Sequence, residues 1–264
     1  MQVRKQIVFA LLFILGISSD SFSEDVFWKE VKGDHFIVYY LGQDEFATNV
    51  SHKAEEYYSK ISSDLGYQRY SNFWQWENRV KIYIYQTREE FLKRTGSQNW
   101  SHGYANYENK EIGSYVWETG FLEALLPHEI THLIFRDYVG LQGHVPIWLD
   151  EGVAQWEEPE KRAIVRQVMR DYLKAEKVFA FKDLMNLDIR NVSFAPSVQL
   201  FYVEAISIVD FLVSEFGADG FIFFCRQLRD GKAMDEALRF AYPTEIRDIK
   251  QMEEKWKDYI LSTP

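Results

Sequence analysis

Two histidines and a glutamate form the most informative pattern in this chain, His128-Glu129-Ile130-Thr131-His132. Positions four apart lie one turn apart on the same face of an α-helix, so both imidazoles can reach one metal ion. Eighteen residues separate His132 from Glu151, the candidate third ligand, in the segment Trp148-Leu149-Asp150-Glu151-Gly152. Two imidazoles, a carboxylate and a water make the open zinc site of hydrolytic enzymes. The pattern therefore predicts Zn²⁺ bound by His128, His132 and Glu151, with Glu129 beside the metal.

The five-residue pattern alone also fits two surface or core histidines on an ordinary helix. The acidic segment at residues 146–152 favours the metal site, because its spacing lets the next helix fold back on the first.

Together the two segments resemble the gluzincin metallopeptidases of the peptidase MA clan. The gap of eighteen residues and the Trp-Leu-acid-Glu-Gly run are most similar to the aminopeptidase N branch and to compact bacterial peptidase MA-like domains. The resemblance spans roughly residues 80 to 225, and it implies His128, His132 and Glu151 as metal ligands and Glu129 as general base. It also implies a zincin-like α+β fold with the active site in a cleft between two lobes.

Such a site works through a metal-activated water. The metal polarises the scissile carbonyl and lowers the pKa of bound water from about 15.7 toward about 7, and Glu129 takes the proton. A hydroxyl donor for the oxyanion would complete the site. In the aminopeptidase N branch a catalytic tyrosine opens a downstream helix, and Phe201-Tyr202-Val-Glu204-Ala205 is similar. Tyr202 is therefore the candidate donor, although it shares a helical face with Ala205, Val209 and Leu212, as a core residue would.

Three neighbouring residues have less specific interpretations. Asp150 is either a partner for the second nitrogen of a metal-bound imidazole or a first-turn acid favoured by the helix dipole. Gly152 is expected to permit close helix packing. His144, in the loop between the ligand helices, is expected to be exposed, because three protein ligands are already assigned.

The segment before the catalytic helix bears on specificity. Gly103-Tyr-Ala-Asn-Tyr-Glu-Asn109 preserves only fragments of the Gly-x-Met-Glu-Asn signature with which the aminopeptidases hold a free amino terminus. The sequence therefore leaves exopeptidase and endopeptidase action open. Related peptidases place an edge strand that pairs with the substrate backbone near here, and residues 111–116 are the candidate for it.

The elements that must position these residues change character near residue 120. Residues 24–120 are predicted to form a mixed α/β lobe with a small sheet, and residues 121–264 a mostly helical lobe. Pro127 should either open the catalytic helix or kink a longer one. The predicted strands are residues 35–40, 80–85, 103–106 and 111–116. The predicted helices are residues 44–65, 88–95, 121–139, 147–158, 160–175, 198–216, 219–229 and 244–261, with breaks that include Gly140, Gly217 and Pro243.

Composition limits the class of protein. The chain has 264 residues and is 47% apolar, which is enough for a sizeable core. A formal net charge of −10 argues against a nucleic-acid partner, because phosphates would be repelled. The single cysteine, Cys225, cannot form a disulfide within the chain.

The first residues predict export. Arg4 and Lys5 precede an apolar run over residues 7–17, followed by small residues, which is typical of a secretory signal peptide over residues 1–23. The alternative is an uncleaved anchor, but the run is short for a bilayer that requires roughly 20 apolar residues. Cleavage would leave residues 24–264 as a catalytic domain without a stable membrane span.

The sequence as a whole predicts an exported, periplasmic or extracellular, zinc metallopeptidase that acts on peptides or proteins. The alternative is a catalytically silent zinc domain that serves as a binding module in the cell envelope or extracellular space. Glu129 argues against that alternative, because a domain kept only for binding does not need a general base beside the metal.

Overall fold

One mixed sheet forms in the first half of the chain. The computed structural model describes residues 27–67, 74–97, 101–117, 120–140, 146–189 and 195–262. Within these residues the strands are β1 (Lys29–Lys32), β2 (Phe36–Tyr40), β3 (Val80–Tyr85), β4 (Gly103–Asn106) and β5 (Glu111–Tyr115). Their order across the sheet is β1-β2-β3-β5-β4. The four predicted strands are confirmed, and β1 was not expected.

The sheet is parallel at its centre and antiparallel at both edges. β3 pairs in parallel with β2 and with β5, while β1 and β4 pair antiparallel with β2 and β5. Alternate residues of β3 enter the core, where Val80, Ile82 and Ile84 are buried. The expectation that residues 111–116 form the edge strand is wrong, because β5 is covered on its far side by β4. Among the described residues, the outermost strand on this side is Gly103–Asn106.

Two helices accompany the sheet. α1 (Asp44–Asp64) packs against β2 and against the helix that carries the histidine pair. Its buried face follows the helical period through Ala47, Val50, Ala54 and Ile61. α2 (Arg88–Thr95) begins at Thr87, whose hydroxyl accepts from the backbone N–H of Glu90 at 3.1 Å, and ends at Gly96.

The second half is helical, so the predicted α+β class is confirmed. The helices are α3 (Leu126–Val139), α4 (Ile147–Trp156), α5 (Pro159–Lys174), α6 (Phe181–Leu184), α7 (Ala195–Arg229), α8 (Met234–Ala241) and α9 (Ile249–Leu261). The predicted helix over residues 244–261 is wrong at its start, because Asp248 caps α9 by accepting from the backbone N–H of Gln251 at 2.8 Å. The short helices α6 and α8 were not expected.

α7 is a long helix with one break. Gly217 has φ 78° and ψ 161° inside it, a conformation that a side chain disfavours. The predicted break between residues 216 and 219 is therefore confirmed. The half before the break packs along α4, where Ala205 and Val209 approach Gly152, and this contact positions the third candidate ligand.

Two expectations fall outside this description. The proposed signal peptide, residues 1–23, and the loop histidine His144 lie outside the described residues. Among the residues that are described, no helix is both long enough and apolar enough to cross a membrane.

Candidate metal centre

α3 carries the histidine pair into the interior. A π-helical turn, Phe121–Leu125, leads directly into α3, and Pro127 lies in the first turn, where its missing N–H costs least. Pro127 therefore lies in the first α-helical turn of a longer helix, whose irregularity is the π-helical turn before it. His128, Glu129 and His132 are each at most 2% exposed, so the polar groups of this helix face the protein interior.

α4 brings the carboxylate to the histidines. Glu151 lies near the middle of α4, and Gly152 follows it where α4 crosses α7. A Cβ atom on Gly152 would lie 2.7 Å from the backbone oxygen of Ala205, which is closer than real contacts allow. The expectation that Gly152 permits close helix packing is thus confirmed, and the packing holds its neighbour Glu151 against α3.

The three candidate ligands converge on one point. His128 Nε2 and His132 Nε2 lie 3.1 Å apart. Glu151 carboxylate oxygens lie 3.7 Å from His128 Nε2 and 4.0 Å from His132 Nε2. Ligand atoms of a tetrahedral zinc site are roughly 3.2–3.5 Å apart, because each bond is about 2.0–2.2 Å. One ligand atom from each residue lies within 4.8 Å of the others, so these residues are placed to hold a metal ion.

His128 is oriented by a carboxylate that the sequence did not reveal. Its Nδ1 lies 2.9 Å from Glu158 Oε1, and Lys161 Nζ donates to the same oxygen at 2.7 Å. A proton on Nδ1 leaves Nε2 free to bind a metal. Glu158 lies between α4 and α5, with extended backbone just before Pro159, so helical spacing gave no signal for it.

His132 is oriented in the same way by Asp150. The Asp150 carboxylate approaches His132 Nδ1 to 3.1 Å, and Arg136 donates to its other oxygen at 2.5 Å. Asp150 also lies in the first turn of α4, but these contacts favour the imidazole-partner alternative over a purely dipolar role. Each histidine therefore has a carboxylate behind it and a cation behind that carboxylate.

The proton positions on His128 and His132 also bear on whether the site fits a metal ion. With Nδ1–H of each ring facing a carboxylate, the two Nε2 atoms present lone pairs to each other at 3.1 Å. Two acceptors cannot satisfy one another, but a proton or a metal ion between them satisfies both. In addition, Oε2 of Glu129 and Oε2 of Glu151 are buried without a hydrogen-bond partner among the described residues. The donor set of two imidazoles and one carboxylate is the type that zinc prefers.

Charge at the centre is unbalanced in the direction that attracts a cation. Four buried carboxyl groups face two cationic side chains, so the formal charge is two negative units in excess. A divalent cation would neutralise this excess. The carboxyl groups are Glu129, Asp150, Glu151 and Glu158, and the cations are Arg136 and Lys161.

Burial shifts the pKa values of these groups in different directions. It raises the pKa of Glu129 and of Glu151 to about 7, and it lowers the pKa of His128 to about 4. Burial also opposes the charged form of His132, but the neighbouring carboxylates, Asp150 first, outweigh it and raise that pKa to about 9. Glu129 thus has the proton affinity of a base that works near neutral pH.

Two phenols lie near the candidate ligands. Tyr202, on α7, is 4% exposed, and its pKa is raised by burial and by the charge of Glu151. It also packs with Ala205 and Val209 in the core, so the core-residue alternative describes part of its environment. Tyr107, which the sequence did not single out, has its pKa raised by burial and by Asp150, Glu129 and Glu151.

The comparisons with known proteins agree with this geometry. A family model described as the Peptidase MA superfamily matches residues 71–262, which include both ligand helices and α7. A search of curated proteins found no match.

Proposed function

Because the chain belongs to the peptidase MA superfamily, we propose that it is a zinc metallopeptidase that hydrolyses peptide bonds in peptides or proteins. The observation that carries the proposal is the position of Glu129, buried beside the group formed by His128, His132 and Glu151. A metal-binding site without hydrolytic function would not need this additional buried carboxyl group, whose desolvation destabilises the fold.

His128, His132 and Glu151 would hold the zinc ion. A bound zinc ion supplies Lewis acidity, which polarises a carbonyl group and makes a water molecule acidic near neutral pH. Glu129 accepts the proton of the attacking water on its unpartnered Oε2 and then returns it to the leaving amine. Asp150 and Glu158 keep the two imidazoles in the tautomer and orientation that binding requires. Tyr202 donates its hydroxyl hydrogen to the oxyanion.

The place of action and the substrate are further parts of the proposal. Export follows from the leader pattern over residues 1–23. Peptide substrates would pair with the outer edge of β4, because an edge strand binds backbone groups with little sequence selectivity. Whether the enzyme cleaves internally or from an end is decided by a digest of a mixed peptide library.

The Glu129→Gln variant tests the proposal. The amide keeps the size of the side chain but cannot take a proton, so we expect unchanged zinc content and a loss of hydrolysis of about 10²–10⁴-fold. Metal content is measured by mass spectrometry and hydrolysis by the library digest. Glu123→Gln, an exposed change just before α3, is the matched control and should behave as wild type.

Two outcomes would contradict the proposal. A Glu129→Gln variant that cleaves at the wild-type rate would remove Glu129 as the base. A wild-type protein that holds about one zinc ion per chain through His128 but cleaves nothing in the library would instead support the binding-module alternative.

A further inference from the structure

Tyr107 is held at the metal centre from the side of the sheet. It lies in the turn that joins β4 to β5, and its ring meets the ring of His132 edge-on, with centroids 6.1 Å apart. The guanidinium of Arg136 stacks over the Tyr107 ring, 3.9 Å from the ring centroid. Arg136 also donates to Asp150, the carboxylate that orients His132. The Tyr107 ring and His132 therefore depend on the same guanidinium.

The hydroxyl of Tyr107 has no role inside the fold. The ring is partly exposed, but its hydroxyl oxygen is buried and has no hydrogen-bond partner among the described residues. A buried hydroxyl left unpaired costs about 1–3 kcal/mol, whereas phenylalanine at the same place would avoid this cost. Other buried phenols also have unpartnered hydroxyls, but Tyr107 lies in contact with the candidate ligand His132, where an acceptor can come from outside the fold.

The surroundings of this hydroxyl indicate what the acceptor is. A phenol with an ordinary pKa of about 10 is neutral and protonated at neutral pH, so it can donate a hydrogen bond. The buried groups with unpartnered oxygens whose charges act on Tyr107 are Asp150, Glu129 and Glu151, which orient a histidine, supply the base and complete the ligand set. These charges and the contact with His132 place Tyr107 beside the centre, so a molecule bound at the centre would lie near its hydroxyl.

We propose that Tyr107 is a second phenol of the active site, which donates its hydroxyl hydrogen to the substrate oxygen that becomes negatively charged during peptide hydrolysis. This inference rests on the proposed peptidase function. Tyr107 acts from the sheet and Tyr202 from α7, so the oxygen is held from two sides. The phenol keeps its proton throughout, and no bond is formed to it.

A purely structural role gives a different expectation. Stacking on Arg136 and contact with His132 need only the ring, which Tyr107→Phe retains. If the hydroxyl is only a structural remnant, its removal leaves activity unchanged and the fold equal or slightly more stable. If it is a donor to the transition state, its removal lowers kcat and kcat/KM together and leaves KM unchanged.

The experiment compares zinc-loaded wild type with Tyr107→Phe on one library peptide that the wild type cleaves. We expect kcat to fall about 10²-fold, as for the loss of one oxyanion donor, with unchanged zinc content and an equal or higher melting temperature. Tyr242→Phe is the matched control, because Tyr242 is also a buried phenol with an unpartnered hydroxyl among the described residues, and it packs instead against Phe216 and Phe224.

A binding measurement gives a second readout. Calorimetry with a phosphoryl-dipeptide, whose charged tetrahedral oxygens imitate the transition state, should show at least 10-fold weaker binding to Tyr107→Phe. An uncharged dipeptide amide of the same sequence should bind both proteins within about 3-fold.

The results separate the two proposals. If the wild type cleaves the peptide and Tyr107→Phe has the same kcat and the same affinity for the phosphoryl-dipeptide, the role of Tyr107 is overturned. The peptidase proposal then stays intact. A zinc-loaded wild type that neither cleaves the library nor binds the phosphoryl-dipeptide would overturn the peptidase proposal, and the role of Tyr107 with it.

Discussion

Gly152 links the packing of the helices to the geometry of the metal centre. In Gly152→Ala the new methyl group would lie 2.7 Å from the backbone oxygen of Ala205 and 3.0 Å from its carbonyl carbon. These atoms belong to the interior of α7 and cannot rotate away as a side chain can. The two helices would therefore have to separate by several tenths of an ångström or more.

Two effects of opposite sign determine the stability of this variant. Alanine stabilises a helix interior relative to glycine by about 0.8–1.0 kcal/mol. Overpacking a tight contact destabilises by about 1–3 kcal/mol, and here the contact is with backbone, which favours the upper part of that range. We expect a net loss of about 1–2 kcal/mol, which lowers the melting temperature by ~2–8 °C for a domain of this size.

The same displacement should weaken metal binding, because Glu151 precedes Gly152 on α4 and would move with it. We expect zinc affinity to fall at least 10-fold in a chelator competition. Gly220→Ala is the matched control: it is also a helical glycine, but its methyl group would first meet a side-chain atom of Tyr242, at 3.3 Å. A Gly152→Ala variant as stable as Gly220→Ala, with wild-type zinc affinity, would refute the packing argument.

The carboxylates behind the histidines and the buried Glu204 give the other predictions. Asp150→Asn and Glu158→Gln should each weaken zinc binding by about 10–100-fold without abolishing it, and equal affinity in either variant would contradict its assigned role. Burial raises the pKa of Glu204 to about 8, above an ordinary value of about 4.3. Between these two pH values the folded state keeps a proton that the unfolded chain loses, so stability falls as pH rises from about 4.3 to about 8. Glu204→Gln, whose amide can still accept from the backbone N–H of Phe179, should reduce the drop in melting temperature between pH 5.5 and 8.5, and an unchanged drop would contradict this explanation.

Local periodicity predicted the parts of the centre that lie on single helices. The spacing of His128 and His132 and the position of Glu151 needed only the helical repeat and one loop. The break at Gly217 and the packing role of Gly152 also followed from residue type. These features are local, so one sequence contains the information for them.

The parts that were missed depend on contacts between distant segments. β4 and β5 have similar strand patterns, and only their pairing determines which of them is the edge. β1 was missed because three of the four residues in Lys29–Lys32 are charged, although such residues suit an exposed edge strand. Tyr107 is brought to the centre by the turn after β4, about twenty residues before α3, and no local pattern marks it.

The four carboxyl groups at the centre differ in whether a cation accompanies them. Burial raises the pKa of each, but His132 and Arg136 outweigh it for Asp150, and Lys161 and His128 outweigh it for Glu158, so both of these pKa values fall. Glu129 has no Lys or Arg partner among the described residues, and burial leaves its pKa raised to about 7. Neighbouring acids whose pKa values are driven apart in this way are suited to different roles. Cation pairing, rather than depth of burial, therefore distinguishes a carboxylate that orients a histidine from one that can take a proton near neutral pH.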